Sequence, residues 1–261
     1  MNAAQTAAAF QTRQLGLLLG ARTVLHGLDL RIPAGRWSAI VGPNGAGKSS
    51  LLKLLAGLLP GQGDVALLGK PLHTYSSRER ARTLAWLGQN EGTLDELTVY
   101  DVVMLGRMPH QGWLGAASAH DHAVVTEMLH RTETWDYRQR SLGEISGGER
   151  QRVLLARVLA VQAPVILMDE PLANLDPPHQ TQWLLDVRAL VRQGVSVVSV
   201  LHELPVALHA DELIVMQQGR IVHQGASGDA SCHRALEQVF QQRIRICRVG
   251  TQWTAIPALE G

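Results

Sequence analysis

The sequence lacks the features that mark several large classes of protein. Its two cysteines, Cys232 and Cys247, have no metal-like spacing, so neither a disulfide framework nor a cysteine metal site is expected. No apolar run approaches the roughly 18 residues that a membrane-spanning helix needs, and residues 15–19 are too short for the core of a signal peptide. The formal net charge is +1, so no strong field favours nucleic acid as a partner. We therefore expect a cytosolic chain with free thiols.

Length and composition allow one large domain or a core with an inserted subdomain. The chain has 261 residues, of which 46% are hydrophobic, enough to bury a core. Residues 1–14 are rich in Ala, Gln and Thr without periodicity and are predicted to be a flexible arm. We expect the main domain over residues 15–230 and a C-terminal tail over residues 231–261.

The most informative stretch fits the phosphate-loop pattern of Gly, four residues, Gly-Lys-Ser. A buried strand is predicted before it and a helix after it, which a chance glycine-rich turn would not provide. Backbone N–H groups and the positive end of the helix dipole then surround one anion. Lys48 is predicted to reach the β- and γ-phosphates of a nucleotide, and the Ser49 hydroxyl to bind Mg²⁺. The residues predicted to bind this nucleotide are Gly42, Pro43, Asn44, Gly45, Ala46, Gly47, Lys48, Ser49 and Ser50.

The order of predicted elements indicates an α/β fold. Two N-terminal strands are predicted, at 15–19 and 25–32, and apolar residues alternate along the second. They are expected to form an N-terminal antiparallel β part of the domain. Strands and helices alternate again from residue 165 to residue 201, which is typical of a parallel sheet with crossovers. The intervening sequence, about residues 91–160, is polar and mostly helical. We predict a P-loop NTPase (RecA-like) core with a mostly parallel sheet and an inserted helical subdomain.

Two acidic residues, Asp169 and Glu170, follow an apolar strand. Adjacent side chains on a strand point in opposite directions, so the two carboxylates can take different roles. Asp169 is predicted to hold Mg²⁺ through its water shell and Glu170 to polarise a water molecule. A solvated strand end is the alternative, but the position downstream of a phosphate loop favours the functional interpretation.

The segment from Ile145 to Arg152 has a structural and a functional interpretation. Ser146 and Glu149 fit a capping box, in which each side chain binds the other residue's backbone N–H. Capping does not explain why the two residues between them are glycines. Glycines there open a helix N-terminus to close approach by an anion.

Taken together, these motifs resemble the ATP-binding subunit of ABC transporters over most of the chain. Residues 145–152 resemble the signature motif, with Ile at its first place and Glu149 where Gln is common. Gln89 resembles the Q-loop glutamine, Asp176 the D-loop aspartate and His202 the switch histidine. The resemblance implies that Glu170, His202 and Gln89 are catalytic, and that Ser49, Gln89 and Asp169 hold Mg²⁺.

The resemblance also implies partners. ATP would lie between the phosphate loop of one copy and the signature segment of a second copy, in a head-to-tail dimer. The signature residues are Ser146, Gly147, Gly148 and Glu149. The chain would be a peripheral protein on the cytoplasmic face of the inner membrane, bound to integral-membrane permease subunits and acting indirectly with a periplasmic substrate-binding protein. No nucleic acid is expected.

A narrower resemblance points to importers of iron–siderophore, haem and cobalamin. It is carried by residues 97–103, 106–110 and 76–89. The alternative is a soluble ABC-type ATPase acting on nucleic acid, the ribosome or a protein scaffold, but the chain has no sustained heptads and one phosphate loop. A kinase with the same loop would leave residues 145–152 unexplained.

Two further points concern ligands. Many relatives place an aromatic residue shortly before the phosphate loop to stack on adenine, whereas this chain has Leu19 there. His110, His120 and His122 could suggest a metal site, but a polar subdomain surface explains them better.

Overall fold

The computed structural model describes residues 7–88, 94–112 and 115–259. The chain divides into two compact units. The first comprises Met1–Thr74 and Val187–Gly261, and the second is Tyr75–Asp186. Within the described ranges, no helix has both the length and the apolar character that a membrane crossing requires.

The first unit contains an antiparallel sheet in the order β2-β1-β4-β5. Its strands are β1 (Ala8–Leu19), β2 (Arg22–Pro33), β4 (Gln62–Leu67) and β5 (Lys70–Pro71). This is the antiparallel part that the sequence predicts.

The prediction of a flexible arm through residue 14 is wrong from Ala8 onward. Phe10 is fully buried, and the Thr12 hydroxyl donates to the Leu28 carbonyl at 2.8 Å. Because β1 pairs with β2 on one side and β4 on the other, long-range ladder bonds order a stretch whose composition alone carries no strand signal.

Four further strands of the first unit lie side by side in the order β10-β9-β3-β8. They are β3 (Trp37–Val41), β8 (Ser196–Val200), β9 (Glu212–Gln217) and β10 (Arg220–Ala226). Strand β3 is parallel to both β8 and β9, and every residue of β3 and β8 is buried. Burial on both faces explains why these strands read as continuous apolar runs. Helices α1 (Lys48–Leu55) and α7 (Leu204–Ala207) complete this part.

The predicted C-terminal tail is part of the first unit. A boundary at residue 231 would fall inside α8 (Ala230–Val239), which contacts β9 and β10. Cys232 is buried in this helix, and burial raises the pKa of its thiol to about 12. A hairpin follows, formed by β11 (Ile244–Val249) and β12 (Gln252–Pro257), with the half-buried Cys247 on β11.

The second unit joins a two-stranded parallel pair to a group of helices. Its elements are α2 (Ser77–Thr83), β6 (Leu84–Leu87), α3 (Val99–Met104), α4 (Ala119–Arg131), α5 (Gly147–Ala160), β7 (Val165–Asp169) and the start of α6 (Pro177–Arg192). Helices α3, α4 and α5 pack on one another and lie within the predicted range 91–160. The compact unit extends beyond that range because α5 also packs on β6, which pairs with β7.

A buried ion pair holds these helices together. Arg107 Nε lies 2.9 Å from Asp121 Oδ1, and both side chains are less than a tenth exposed. Arg107 Nη1 also donates to the Ala160 carbonyl at 2.7 Å. Hydrogen bonds from Ser118, together with Arg107, hold the pKa of the Asp121 carboxyl well below its usual range. Arg107, part of the importer-like segment, thus has a structural role.

We predict that Arg107→Ala lowers the free energy of unfolding at pH 7 by about 3–5 kcal/mol, because Asp121 is left buried and unpaired. The folded pKa of Asp121 lies below its unfolded value of about 3.9, so this stabilisation is present above that pH and is lost as the pH falls further. Urea unfolding followed by circular dichroism should show the gap between wild type and variant narrowing below about pH 4. Met108→Ala, at a neighbouring site that is 62% exposed, is the control. An equal loss of unfolding free energy in Met108→Ala would contradict the structural role assigned to the Arg107–Asp121 ion pair.

Candidate functional site

The phosphate loop lies in the first unit between β3 and α1. Lys48 is buried, and its Nζ donates to the carbonyls of Gly42 at 2.8 Å and Pro43 at 3.0 Å. The ammonium group therefore closes the loop, and α1 begins at Lys48 itself. The first four N–H groups of a helix have no partner within the helix. Together these donors provide the chemistry that a nucleotide phosphate chain requires.

Two glycines make this loop possible. Gly42 has φ 149°, and a Cβ on it would lie 2.1 Å from the Met216 carbonyl oxygen. Gly47 has φ 95°, and a Cβ on it would lie 2.7 Å from Leu25 Cδ2. The backbone of β9 therefore leaves room only for glycine at position 42, and the left-handed backbone conformation favours glycine at position 47.

The turn between β9 and β10 supports the loop from outside. Gly219 N donates to the Ala46 carbonyl at 3.0 Å, and the Gly219 carbonyl accepts from His26 N at 3.1 Å. The sequence reasoning missed β9, β10 and this support, although an apolar run ending in Gln218-Gly219 was a usable hairpin signal.

His202 follows β8 and is exposed. Leu201 N still donates to the Ile40 carbonyl at 3.2 Å, so the chain follows β3 up to the residue before the histidine. Because β3 and β8 are parallel, the phosphate loop and His202 both follow carboxyl ends of strands at one edge of the sheet. This edge is where α/β folds bind their ligands.

In the second unit, Asp169 is the last residue of β7 and is 1% exposed. Glu170 has φ 53°, a left-handed conformation that costs a non-glycine residue about 1–3 kcal/mol. The turn is held by a hydrogen bond from Ala173 N to the Glu170 carbonyl at 3.2 Å and by the Gln151 amide, which donates to the Pro171 carbonyl at 3.0 Å. The two carboxylates thus have different environments, one buried and one on a sharp turn.

The predicted capping box is present at the start of α5. Glu149 Oε2 accepts from Ser146 N at 2.8 Å, and Ser146 Oγ accepts from Glu149 N at 3.3 Å. These bonds to Ser146 lower the pKa of Glu149. A Cβ on Gly148 would lie 2.8 Å from the Asn174 carbonyl oxygen. Close packing against Asn174 is therefore a second reason for glycine at 148, beside access for an anion.

Asp176 stands at the start of α6 and is bound by His179. Asp176 Oδ1 accepts from His179 N at 3.1 Å and lies within hydrogen-bonding reach of His179 Nδ1. These two bonds lower the pKa of Asp176. The sequence reasoning did not identify His179, although an imidazole three residues after a predicted D-loop aspartate was visible.

Gln89, predicted to be catalytic and to bind Mg²⁺, lies outside the described residues. Two of the histidines considered for a metal site have protein partners. His110 Nε2 lies 2.8 Å from the Val161 carbonyl, and His122 Nδ1 lies 2.7 Å from the Tyr100 hydroxyl.

Comparison with known proteins decides the family. The family described as ABC transporter matches residues 25–173. The chain belongs to the ABC transporter family. Hemin import ATP-binding protein HmuV of Streptomyces coelicolor is 41% identical, with 87% of this chain and 81% of that protein covered. Ferric enterobactin transport ATP-binding protein FepC of Escherichia coli is 37% identical, with 93% and 90% covered.

The fold agrees. The solved ADP conformation of an ATP-binding cassette of an ABC transporter superposes with a TM-score of 0.77 at 23% identity, covering 90% of this chain and 99% of that one. The predicted P-loop NTPase fold is confirmed, and this ABC transporter subunit is an ATPase.

The position of Leu19 generates a prediction about base recognition. Leu19 is 51% exposed at the end of β1, in the hairpin whose Leu25 packs against Gly47. Without an aromatic stack, adenine contact loses about 1 kcal/mol, so we expect GTP to support hydrolysis nearly as well as ATP. Leu19→Tyr should lower the KM for ATP in a steady-state assay.

Leu18→Tyr is the matched control, because Leu18 is 54% exposed and adjacent residues of a strand face opposite sides. A preference for ATP above about 30-fold in the wild type, roughly 2 kcal/mol, would assign base recognition to another residue.

Proposed function

We propose that this chain is the ATP-hydrolysing subunit that energises an importer of iron–siderophore complexes, haem or cobalamin. The observation that carries this proposal is the similarity, over nearly the whole chain, to ATP-binding proteins of hemin, petrobactin, ferric enterobactin and cobalamin import or transport. The same similarity favours an importer over a soluble ATPase acting on nucleic acid, the ribosome or a protein scaffold.

In the proposed chemistry, Lys48 and the N–H groups at the start of α1 bind the phosphates of ATP. Ser49 and Asp169 offer hydroxyl and carboxylate oxygens, the ligands that Mg²⁺ prefers. When bound, Mg²⁺ neutralises charge that develops on the phosphates. Glu170 polarises the attacking water, and His202 contributes to turnover from the strand edge that carries the phosphate loop. We assign Gln89 to the Mg²⁺ shell and to communication with the permease.

The proposed assembly contains a second copy of the chain. Ser146, Gly147 and Gly148 of one copy bind the γ-phosphate on the other, using the N-terminus of the 14-residue helix α5, and Glu149 completes this signature segment through the capping box. The pair binds permease subunits at the cytoplasmic side of the inner membrane, and the permease receives its cargo from a periplasmic substrate-binding protein. ATP closes the dimer and hydrolysis reopens it.

We predict that Glu170→Gln binds ATP normally but loses about two orders of magnitude or more in turnover, because an amide cannot act as general base. The variant should accumulate as an ATP-bound dimer on size-exclusion chromatography. Glu127→Gln, at an exposed position of α4, is the matched control. Turnover of Glu170→Gln within about threefold of wild type would assign the base elsewhere.

Coupling to the permease generates a second prediction. Met108 is 62% exposed, in a short 3-10 helix (Leu105–His110) whose Pro109 carbonyl is bound by Arg78 Nε at 3.1 Å and Arg82 Nε at 2.7 Å. We propose that this 3-10 helix, with Trp113, faces the permease; Trp113 lies outside the described residues. Met108→Asp combined with Trp113→Asp should leave ATP binding intact and abolish co-purification with a tagged permease, because an unpaired charge in an interface costs several kcal/mol.

Leu185→Asp, at a site that is 56% exposed, is the control for a charge placed on an exposed apolar residue. Retained pull-down together with normal uptake of a ferric siderophore, haem or cobalamin into vesicles would contradict the assignment of this surface. Loss of ATP binding would show that the two residues support the fold instead. A wild-type subunit that neither binds the neighbouring permease nor energises uptake of any of these cargoes would contradict the importer itself.

A further inference from the structure

A series of polar contacts in the second unit connects the signature helix to the D-loop. Arg152 on α5 donates through Nη1 to the Glu133 carbonyl at 3.2 Å, and lies 3.7 Å from the Glu133 carboxylate. Glu133 Oε2 lies 3.9 Å from His179 Nε2. The other ring nitrogen of His179 reaches Asp176. The imidazole therefore stands between two carboxylates.

The geometry points to His179 as a positioning residue for ATP hydrolysis, which orients the Asp176 carboxylate. This inference rests on the proposed function, in which we take Asp176, the residue that resembles the D-loop aspartate, to contribute to turnover. Asp176 Oδ1 accepts from both the backbone N–H and Nδ1 of His179. Two donors on one oxygen fix the rotation of the carboxylate, which a single capping bond would leave free.

The Glu133 carboxylate lies 3.9 Å from the other ring nitrogen of His179, which is beyond hydrogen-bond distance. A carboxylate accepts only, so Nδ1 carries the proton that binds Asp176. Glu133 has φ 54°, and the turn that contains it is held by Arg152, which also donates to the Thr132 carbonyl at 3.4 Å. Arg152 on α5 thus holds the turn that places the Glu133 carboxylate near His179, whereas the hydrogen bonds of His179 go to Asp176.

The position of Asp176 affects Glu170, because both residues belong to one hydrogen-bonded stretch. Residues 170–176 are tied together by short-range bonds, from Ala173 N to the Glu170 carbonyl and from Leu175 N to the Leu172 carbonyl at 3.1 Å. The Gln180 amide donates to the Leu175 carbonyl at 3.0 Å. A displaced Asp176 therefore disturbs a stretch that begins with the proposed general base.

The test compares two amide replacements at position 179. In His179→Asn the side-chain amide nitrogen occupies the place of Nδ1, whereas in His179→Gln it occupies the place of Nε2. We expect His179→Gln and His179→Ala to lose about tenfold in kcat with KM for ATP unchanged, the scale of one hydrogen bond to a charged group. His179→Asn should recover most of the loss. Unfolding temperatures of the Asn and Gln variants should agree.

Several outcomes would overturn the inference. These are wild-type kcat in His179→Ala, equal defects in His179→Asn and His179→Gln, and a kcat loss in His179→Gln matched by lost thermal stability. Asp176→Ala separates this inference from the proposed function. Wild-type turnover in Asp176→Ala would remove the role of the D-loop aspartate and the inference with it. A strong loss in Asp176→Ala beside normal turnover in His179→Ala would overturn the inference for His179 alone.

Discussion

The carbonyl oxygen of Met216 comes so near the backbone of Gly42 that no side chain fits between them. This approach fixes where the chain leaves β3, and with it the path of the phosphate loop. The Lys48 ammonium then binds two carbonyls of that loop, and the turn at Gly219 binds Ala46 from outside. Strand β9, the loop and the start of α1 are therefore one packed arrangement, and the nucleotide-binding chemistry depends on it.

In the second unit, helix α5 is held in place at both of its ends. Arg107 binds Asp121 and the last turn of α5, so the helix that begins at the predicted signature residues is anchored at its far end. At its near end, Gly148 admits the backbone of Asn174. The segments predicted to be the signature and the D-loop are thus in direct contact within one chain.

The features that were predicted correctly from the sequence are those that depend on the local pattern of residues. Strand β3 begins and ends at the predicted residues, and the Ser146–Glu149 capping box forms as expected, because buried runs and caps are encoded by neighbours in the chain. The arm prediction failed at Phe10 because ladder bonds to distant strands decide that stretch. His179 was missed although its partner Asp176 is only three residues away in the sequence. The pattern gave no sign that Asn174 packs against Gly148, because that contact depends on the tertiary fold.

The C-terminal segment has a practical consequence for spectroscopy. Cys232, on α8, is fully buried, and its thiol pKa is raised to about 12. The thiol is therefore almost entirely protonated at the pH of labelling reactions. Cys247, on the hairpin, is half-buried and in contact with solvent. A maleimide dye or nitroxide added to the folded wild-type protein therefore reacts first at Cys247. The hairpin provides a native attachment point for one reporter, without any cysteine having to be introduced or removed.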